Sequence, residues 1–166
     1  MTLPNVISIT RAALVAPVVW LIALGHPALA LAVFSLASLS DLVDGPLARR
    51  RHEVTALGTF LDPLADKILI VGTLAALAVQ GAAPAWPVAI VVARELVAVE
   101  VRVRSPGLAA SADGKAKTVL QVIAAAALLA SLAWPSAGLA TAAGALLVGA
   151  ALLTVLSGVM LVRRAA

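Results

Sequence analysis

Long uncharged stretches separated by short breaker clusters organise the whole chain. Uncharged runs extend to Gly25 on either side of Arg11, resume from Pro27 to Ser40, and continue from Ile68 to Ala93 and from Thr118 to Val162. A helical bilayer crossing takes about 20 residues, because each residue advances only about 1.5 Å. The run from Ile68 to Ala93 is too long for one crossing and contains QGAAPAWP (Gln80 to Pro87). Its Gly and Pro residues split it there. WPSAG (Trp134 to Gly138) divides the run after Thr118 in the same way. The pattern therefore predicts six helices, over about 6–25, 28–45, 58–79, 86–103, 117–134 and 138–162.

Composition turns those helices into membrane spans. Of the 166 residues, 63% are hydrophobic and 12% charged, against about 45–50% and about 25% in soluble domains. Mean hydropathy is +1.10. Six spans use up the length, so residues 1–166 are expected to form a single transmembrane domain of an all-α integral membrane protein with six transmembrane helices. The chain has no cysteine, which excludes disulfides and any cysteine-based metal or nucleophile site.

Charge sets the orientation. The formal net charge of +4 is not read as a sign of nucleic acid, because its placement follows the spans. The links at Gly25 to Pro27, Gln80 to Pro87 and Trp134 to Gly138 carry no Lys or Arg. The opposite side holds Arg11, Arg49, Arg50, Arg51, Arg102, Arg104, Lys115, Lys117, Arg163 and Arg164. Lys and Arg accumulate in cytoplasmic loops, so both termini are expected in the cytoplasm, with Trp86 and Trp134 at the outer interface. Because Arg11 lies inside the first stretch rather than before it, that stretch is read as a span and not as a cleavable signal peptide.

Ionisable residues inside spans are costly and mark function. Asp41 and Asp44 stand at i, i+3 near the end of the second span; Asp62 and Asp66 stand at i, i+4 near the start of the third. Each pair projects from one face of its helix. The two pairs are nearly symmetric about residue 53, so an antiparallel hairpin is expected to bring all four carboxylates to one site. The apolar runs beyond them cover about 21–24 Å of a core of roughly 30 Å. This depth puts the carboxylates just inside the cytoplasmic boundary, at the level of lipid phosphates. Four bare carboxylates so close would repel and be driven to protonate. Divalent cations remove the conflict, and a site of carboxylates without His or Cys suits Mg²⁺ or Mn²⁺, with a two-metal arrangement expected for phosphate displacement. An EF-hand loop would need acids at alternating positions and a glutamate at the twelfth, which the chain lacks.

The full string is Asp41-x2-Asp44-Gly45-x2-Ala48-Arg49-x8-Gly58-x3-Asp62-x3-Asp66. Eight fixed positions would match in this length by chance on the order of 10⁻⁸ of the time at average residue frequencies. It resembles the signature of the CDP-alcohol phosphatidyltransferase family at all eight positions. The resemblance implies six transmembrane helices, generally in a homodimer. It also implies that Asp41, Asp44 and Asp62 hold metal, and that Asp66 is both close to the second metal and the general base. Asp44, Gly45, Ala48, Arg49 and Gly58 would bind the CDP portion: small residues allow the nucleotide to approach the helices, and the planar fork of Arg49 suits its phosphates. Arg50 and Arg51 are read as orientation signals, and Pro63 either opens space beside Asp62 or is merely tolerated near a helix start.

LPNVISITR (Leu3 to Arg11), LDPLADK (Leu61 to Lys67), ARE (Ala93 to Glu95) and GKAKTVLQ (Gly114 to Gln121) further resemble the bacterial branch of that family that forms phosphatidylglycerophosphate. That branch joins CDP-diacylglycerol to sn-glycerol 3-phosphate in the bacterial inner membrane, with its site facing the cytoplasm. An anionic acceptor calls for cations. Arg94, about nine residues into the fourth span, and Lys115 and Lys117 at the start of the fifth are the candidates for its phosphate, with Arg102 and Arg104 behind them. Acceptors of related enzymes remain alternatives: phosphatidylglycerol, as in cardiolipin synthase, or an inositol phosphate. A cation- or proton-coupled carrier is the alternative of another class, disfavoured by acids clustered at one interface without an internal repeat. A UbiA-type prenyltransferase would need more spans.

Overall fold

The computed structural model describes residues 9–50, 56–104 and 112–165. Side chains are described for residues 9–40, 64–101, 116–161 and Arg163. Among these residues the backbone is helical, without a strand. The helices are α1 (Val15–Ala23), α2 (Pro27–Arg50), α3 (Ala56–Val79), α4 (Ala85–Arg104), α5 (Ala112–Ala133) and α6 (Ala137–Ala165). Their positions match those of the six expected helices and differ at their ends. The first span is interrupted: residues 9–13 are helical, Leu14 is a turn and α1 follows. Pro17 explains the break, since it has no N–H to donate to the carbonyl of Ala13 and its ring crowds that carbonyl. Helix α2 continues to Arg50, five residues past the expected end, and α5 begins five residues early. Hydropathy locates the apolar stretch and not the hydrogen-bonded helix, and Leu47, Ala48, Arg49, Arg50 and Lys115 are good helix formers.

Two of the expected links end their helices in the same way. Gly25 and Gly81 have φ of 75° and 72°, the left-handed conformation that glycine adopts without a Cβ penalty. The N–H of His26 donates to Leu21 O and that of Ala82 to Leu77 O, both at 2.9 Å, closing Schellman-type ends. Pro27 then opens α2 at a position where its missing N–H costs nothing. At the third link, Ser136 Oγ accepts from the N–H of Leu139 at 3.2 Å and caps the start of α6.

The chain forms two compact units, Met1–Ala76 and Leu77–Ala166. In the first, α1 packs on α2, and Val18, Ile22, Ala30, Phe34, Leu69 and Leu74 are buried. Gly72 of α3 lies so close to Val15 that an added Cβ would overlap its Cγ2. In the second, α6 packs along α5 and also against α4. Ala124, Ala125, Ala143, Ala150 and Ala151 are buried there beside Leu128, Leu129 and Leu147. Small residues let helix backbones come close, the packing used where lipid removes the hydrophobic drive between helices.

Large apolar side chains also face outward, among them Trp20, Leu36, Val79, Leu96 and Leu152. Ala116–Ala133 and Ala137–Leu161 are long and apolar enough to cross a membrane, and only 33% and 28% of these windows is buried. Outward apolar surface of that extent suits lipid rather than water. Ile9–Ala23 and Pro27–Ser40 are shorter apolar helices.

Candidate functional site

In the first unit, helix packing carries a charged pair between distant parts of the sequence. Arg11 Nη1 donates to Asp66 Oδ1 at 2.7 Å. The arginine side chain is 2% exposed and the aspartate 29%. The cation thus lies beneath, while the carboxylate keeps an open side. A buried guanidinium is retained only where its partners compensate its desolvation, so the pair fixes the Asp66 carboxylate relative to the N-terminal segment. Arg11 was an orientation mark in the sequence; the structure makes it the support of the fourth signature aspartate. An arginine within an otherwise apolar span was the signal that could have shown this.

The backbone of the remaining signature positions is helical. Asp41, Asp44, Gly45, Ala48 and Arg49 are in α2, and Gly58 and Asp62 in α3. Their side chains lie outside the described ones, so their expected convergence does too. Among the described residues no group of three or more His, Cys, Asp or Glu side chains could hold a metal; Asp66 is the one described member of the set. The donor set suits a divalent cation: Asp66 is partly exposed, its ligand atoms are oxygens, and the other three candidates are also carboxylates.

In the second unit, three helices contribute to one buried polar network. Lys117 of α5 donates to Glu95 Oε1 of α4. Arg94 Nη1 donates to the same oxygen at 3.2 Å. Arg94 Nη2 donates to Ser157 Oγ of α6 at 2.9 Å, and Ser157 donates onward to Thr154 O at 3.2 Å. One turn further along α5, Gln121 Nε2 donates to Thr154 Oγ1 at 2.8 Å. Lys117, Glu95, Gln121, Thr154 and Ser157 are all buried. Two of the cations expected to bind the acceptor, Arg94 and Lys117, are therefore brought together. Lys115, Arg102 and Arg104 are helical in backbone, with side chains outside the described ones. Sequence reasoning missed Glu95 and Ser157. Glu95 was visible as an acid within an apolar span beside Arg94; nothing marked Ser157.

Arg94 also stands at the edge of a groove. A groove of about 510 Å³ runs along α4 and α6, lined by apolar residues such as Ile90, Val97, Val155 and Val159, with Arg94 and Arg163 on its wall. Gly158 lies against the arginine stem, where a Cβ would stand 3.1 Å from Arg94 Cγ. Without a side chain at this position, the arginine can lie flat along α6.

Comparison with known proteins bears on both units. A family model described as CDP-alcohol phosphatidyltransferase matches residues 1–157. A CDP-diacylglycerol–glycerol-3-phosphate 3-phosphatidyltransferase of Bacillus subtilis is 40% identical over 147 residues, covering 76% of each chain. A probable phosphatidylglycerophosphate synthase of Mycobacterium tuberculosis is 36% identical over 174 aligned positions, covering 98% of this chain and 81% of its own. A CMP-forming cardiolipin synthase of Streptomyces coelicolor is 40% identical over 101 residues, covering 57% of this chain and 47% of its own.

Proposed function

The chain belongs to the CDP-alcohol phosphatidyltransferase family, a membrane-bound group of phospholipid-forming transferases, and from that premise we propose that it transfers the phosphatidyl group of CDP-diacylglycerol to sn-glycerol 3-phosphate. The observation that carries the choice of acceptor is the extent of similarity. Relatives named for glycerol 3-phosphate or phosphatidylglycerophosphate cover 76% and 98% of this chain, while the cardiolipin synthase covers 57%. Arg94 and Lys117 on one buried carboxylate add a cationic locus suited to a phosphate monoester.

The reaction is a direct displacement. The primary hydroxyl of glycerol 3-phosphate attacks the β-phosphorus of CDP-diacylglycerol. A new phosphorus–oxygen bond forms, the bond to the bridging pyrophosphate oxygen breaks, and CMP leaves with that electron pair. The hydroxyl proton passes to the carboxylate of Asp66, which Arg11 holds in place. Arg49 meets the nucleotide phosphates, Gly45, Ala48 and Gly58 leave room for the nucleotide beside α2 and α3, and Asp44 contacts both CDP and metal. Asp41, Asp44, Asp62 and Asp66 would hold Mg²⁺ or Mn²⁺, in a two-metal site, which when bound offsets the charge of the pyrophosphate. Lys117 and Arg94 bind the acceptor's phosphate, with Lys115, Arg102 and Arg104 supplying further positive charge. The acceptor attacks directly, so no covalent enzyme intermediate is required.

The setting follows from the same reading. All six helices cross the inner membrane of a bacterium, both termini and the reacting groups face the cytoplasm, and residues 1–166 act as one catalytic domain within a homodimer. Purified protein given CDP-diacylglycerol, Mg²⁺ or Mn²⁺ and a panel of acceptors tests the proposal. Glycerol 3-phosphate should release CMP. Release with phosphatidylglycerol or an inositol phosphate but not with glycerol 3-phosphate would overturn the acceptor.

A further inference from the structure

Glu95 is the one buried acid among the described residues, and a single oxygen of it, Oε1, accepts from cations on two helices. Side chains of Arg94, Glu95 and Lys117 are 12%, 6% and 5% exposed. Charges removed from solvent to that degree are costly to keep, and small apolar residues would join three helices at less cost. Two cations at such separation repel unless an anion stands between them. The carboxylate therefore sets where both come to rest. A guanidinium and an ammonium held side by side in this way are donors of the kind a phosphate group takes.

The far side of Arg94 is fixed as closely. Ser157 accepts from its second terminal nitrogen at 2.9 Å. Gly158 lets the arginine stem lie close along α6, where an added Cβ would stand 3.1 Å from its Cγ. The arginine is thus held at both ends of its fork, and its side chain stands at the edge of a mainly apolar groove.

We propose that Glu95, with Ser157 behind Arg94, is a positioning residue that holds Lys117 and Arg94 in the arrangement that receives the phosphate of the acceptor. This rests on the reading of glycerol 3-phosphate as acceptor. Glu95 touches no reacting atom; it acts through the two cations. Losing it lets both cations move apart and weakens the grip on the acceptor, leaving the affinity for CDP-diacylglycerol in place.

The experiment is a two-substrate kinetic analysis of the purified full chain in lipid nanodiscs, comparing wild type with Glu95→Gln, Glu95→Asp and Ser157→Ala. A hydrogen bond to a charged group is worth roughly tenfold to a hundredfold in binding. Glu95→Gln should raise KM for glycerol 3-phosphate by about that factor, with KM for CDP-diacylglycerol within about twofold of wild type. Glu95→Asp, which restores the charge, should recover part of the loss. Ser157→Ala should raise the same KM by about tenfold, and it decides the matter if Glu95→Gln does not fold. A wild type that releases no CMP with glycerol 3-phosphate overturns the acceptor and this inference with it. A wild type that does so, beside folded variants whose KM for glycerol 3-phosphate is unchanged or whose two KM values rise together, overturns this inference alone.

Discussion

The two units use buried charge in opposite ways. In the first, a buried cation supports a carboxylate that stays partly open: Arg11 is 2% exposed and Asp66 29%. In the second, a buried carboxylate gathers two cations, Lys117 and Arg94, and the arginine borders a groove. In the first unit the hidden charge leaves a group of opposite sign open; in the second Glu95 and Lys117 are both buried, and only the arginine, 12% exposed, reaches the edge of the groove. The sign nearest the surface differs, negative from α3 and positive from Arg94 of α4. A carboxylate on display suits a metal ion, and cations on display suit an anion. In the proposed reaction, one polarity would serve a pyrophosphate held by metal and the other an anionic second substrate.

The comparison breaks first if the aspartates are dispensable. Asp62→Asn and Asp44→Asn should each lower turnover by about a thousandfold, the scale of losing an electrostatic group aimed at developing charge, and chelation should abolish CMP release until Mg²⁺ or Mn²⁺ returns. Undiminished activity in excess chelator would remove the metal from the account. A smaller effect is expected from the supporting cation. Arg11→Gln should reduce kcat by about tenfold to a hundredfold, the worth of a charge-assisted hydrogen bond, and should raise the Mg²⁺ concentration for half-maximal activity. Its KM for glycerol 3-phosphate should stay near wild type.

On the opposite polarity, Lys117→Gln should raise KM for glycerol 3-phosphate by about tenfold or more and leave the Mg²⁺ requirement alone. The smallest effect concerns stability alone. Gly72→Ala puts a methyl group into Val15, and overpacking of this kind costs about 1–3 kcal/mol. Thermal unfolding in detergent should show a lowered midpoint, whereas an unchanged one would mean that Val15 yields freely.

The positions of the six helices were legible because long apolar runs and their breakers mark apolar helices without any knowledge of tertiary contacts. Their ends were less so. Asp41 ends the apolar stretch but not the helix, since α2 runs on to Arg50 and hydropathy reports apolar length, not helical hydrogen bonding. The break at Leu14 was readable from Pro17 and was passed over because the surrounding residues are uniformly apolar. Local spacing revealed the aspartate pairs, which share helix turns. It could not reveal that Arg11 meets Asp66 across 55 positions or that Lys117 meets Glu95 across 22. Such partners depend on how helices pack, and charge alone does not say which opposite charge will be chosen.

The division of labour between the two polarities is tested most directly by titrating Mg²⁺ and glycerol 3-phosphate against CMP release for Arg11→Gln and Lys117→Gln side by side. The account predicts a crossed result: the arginine variant shifts the Mg²⁺ curve and not the glycerol 3-phosphate curve, and the lysine variant does the reverse. Both variants shifting the same curve, or each shifting both curves equally, would contradict it.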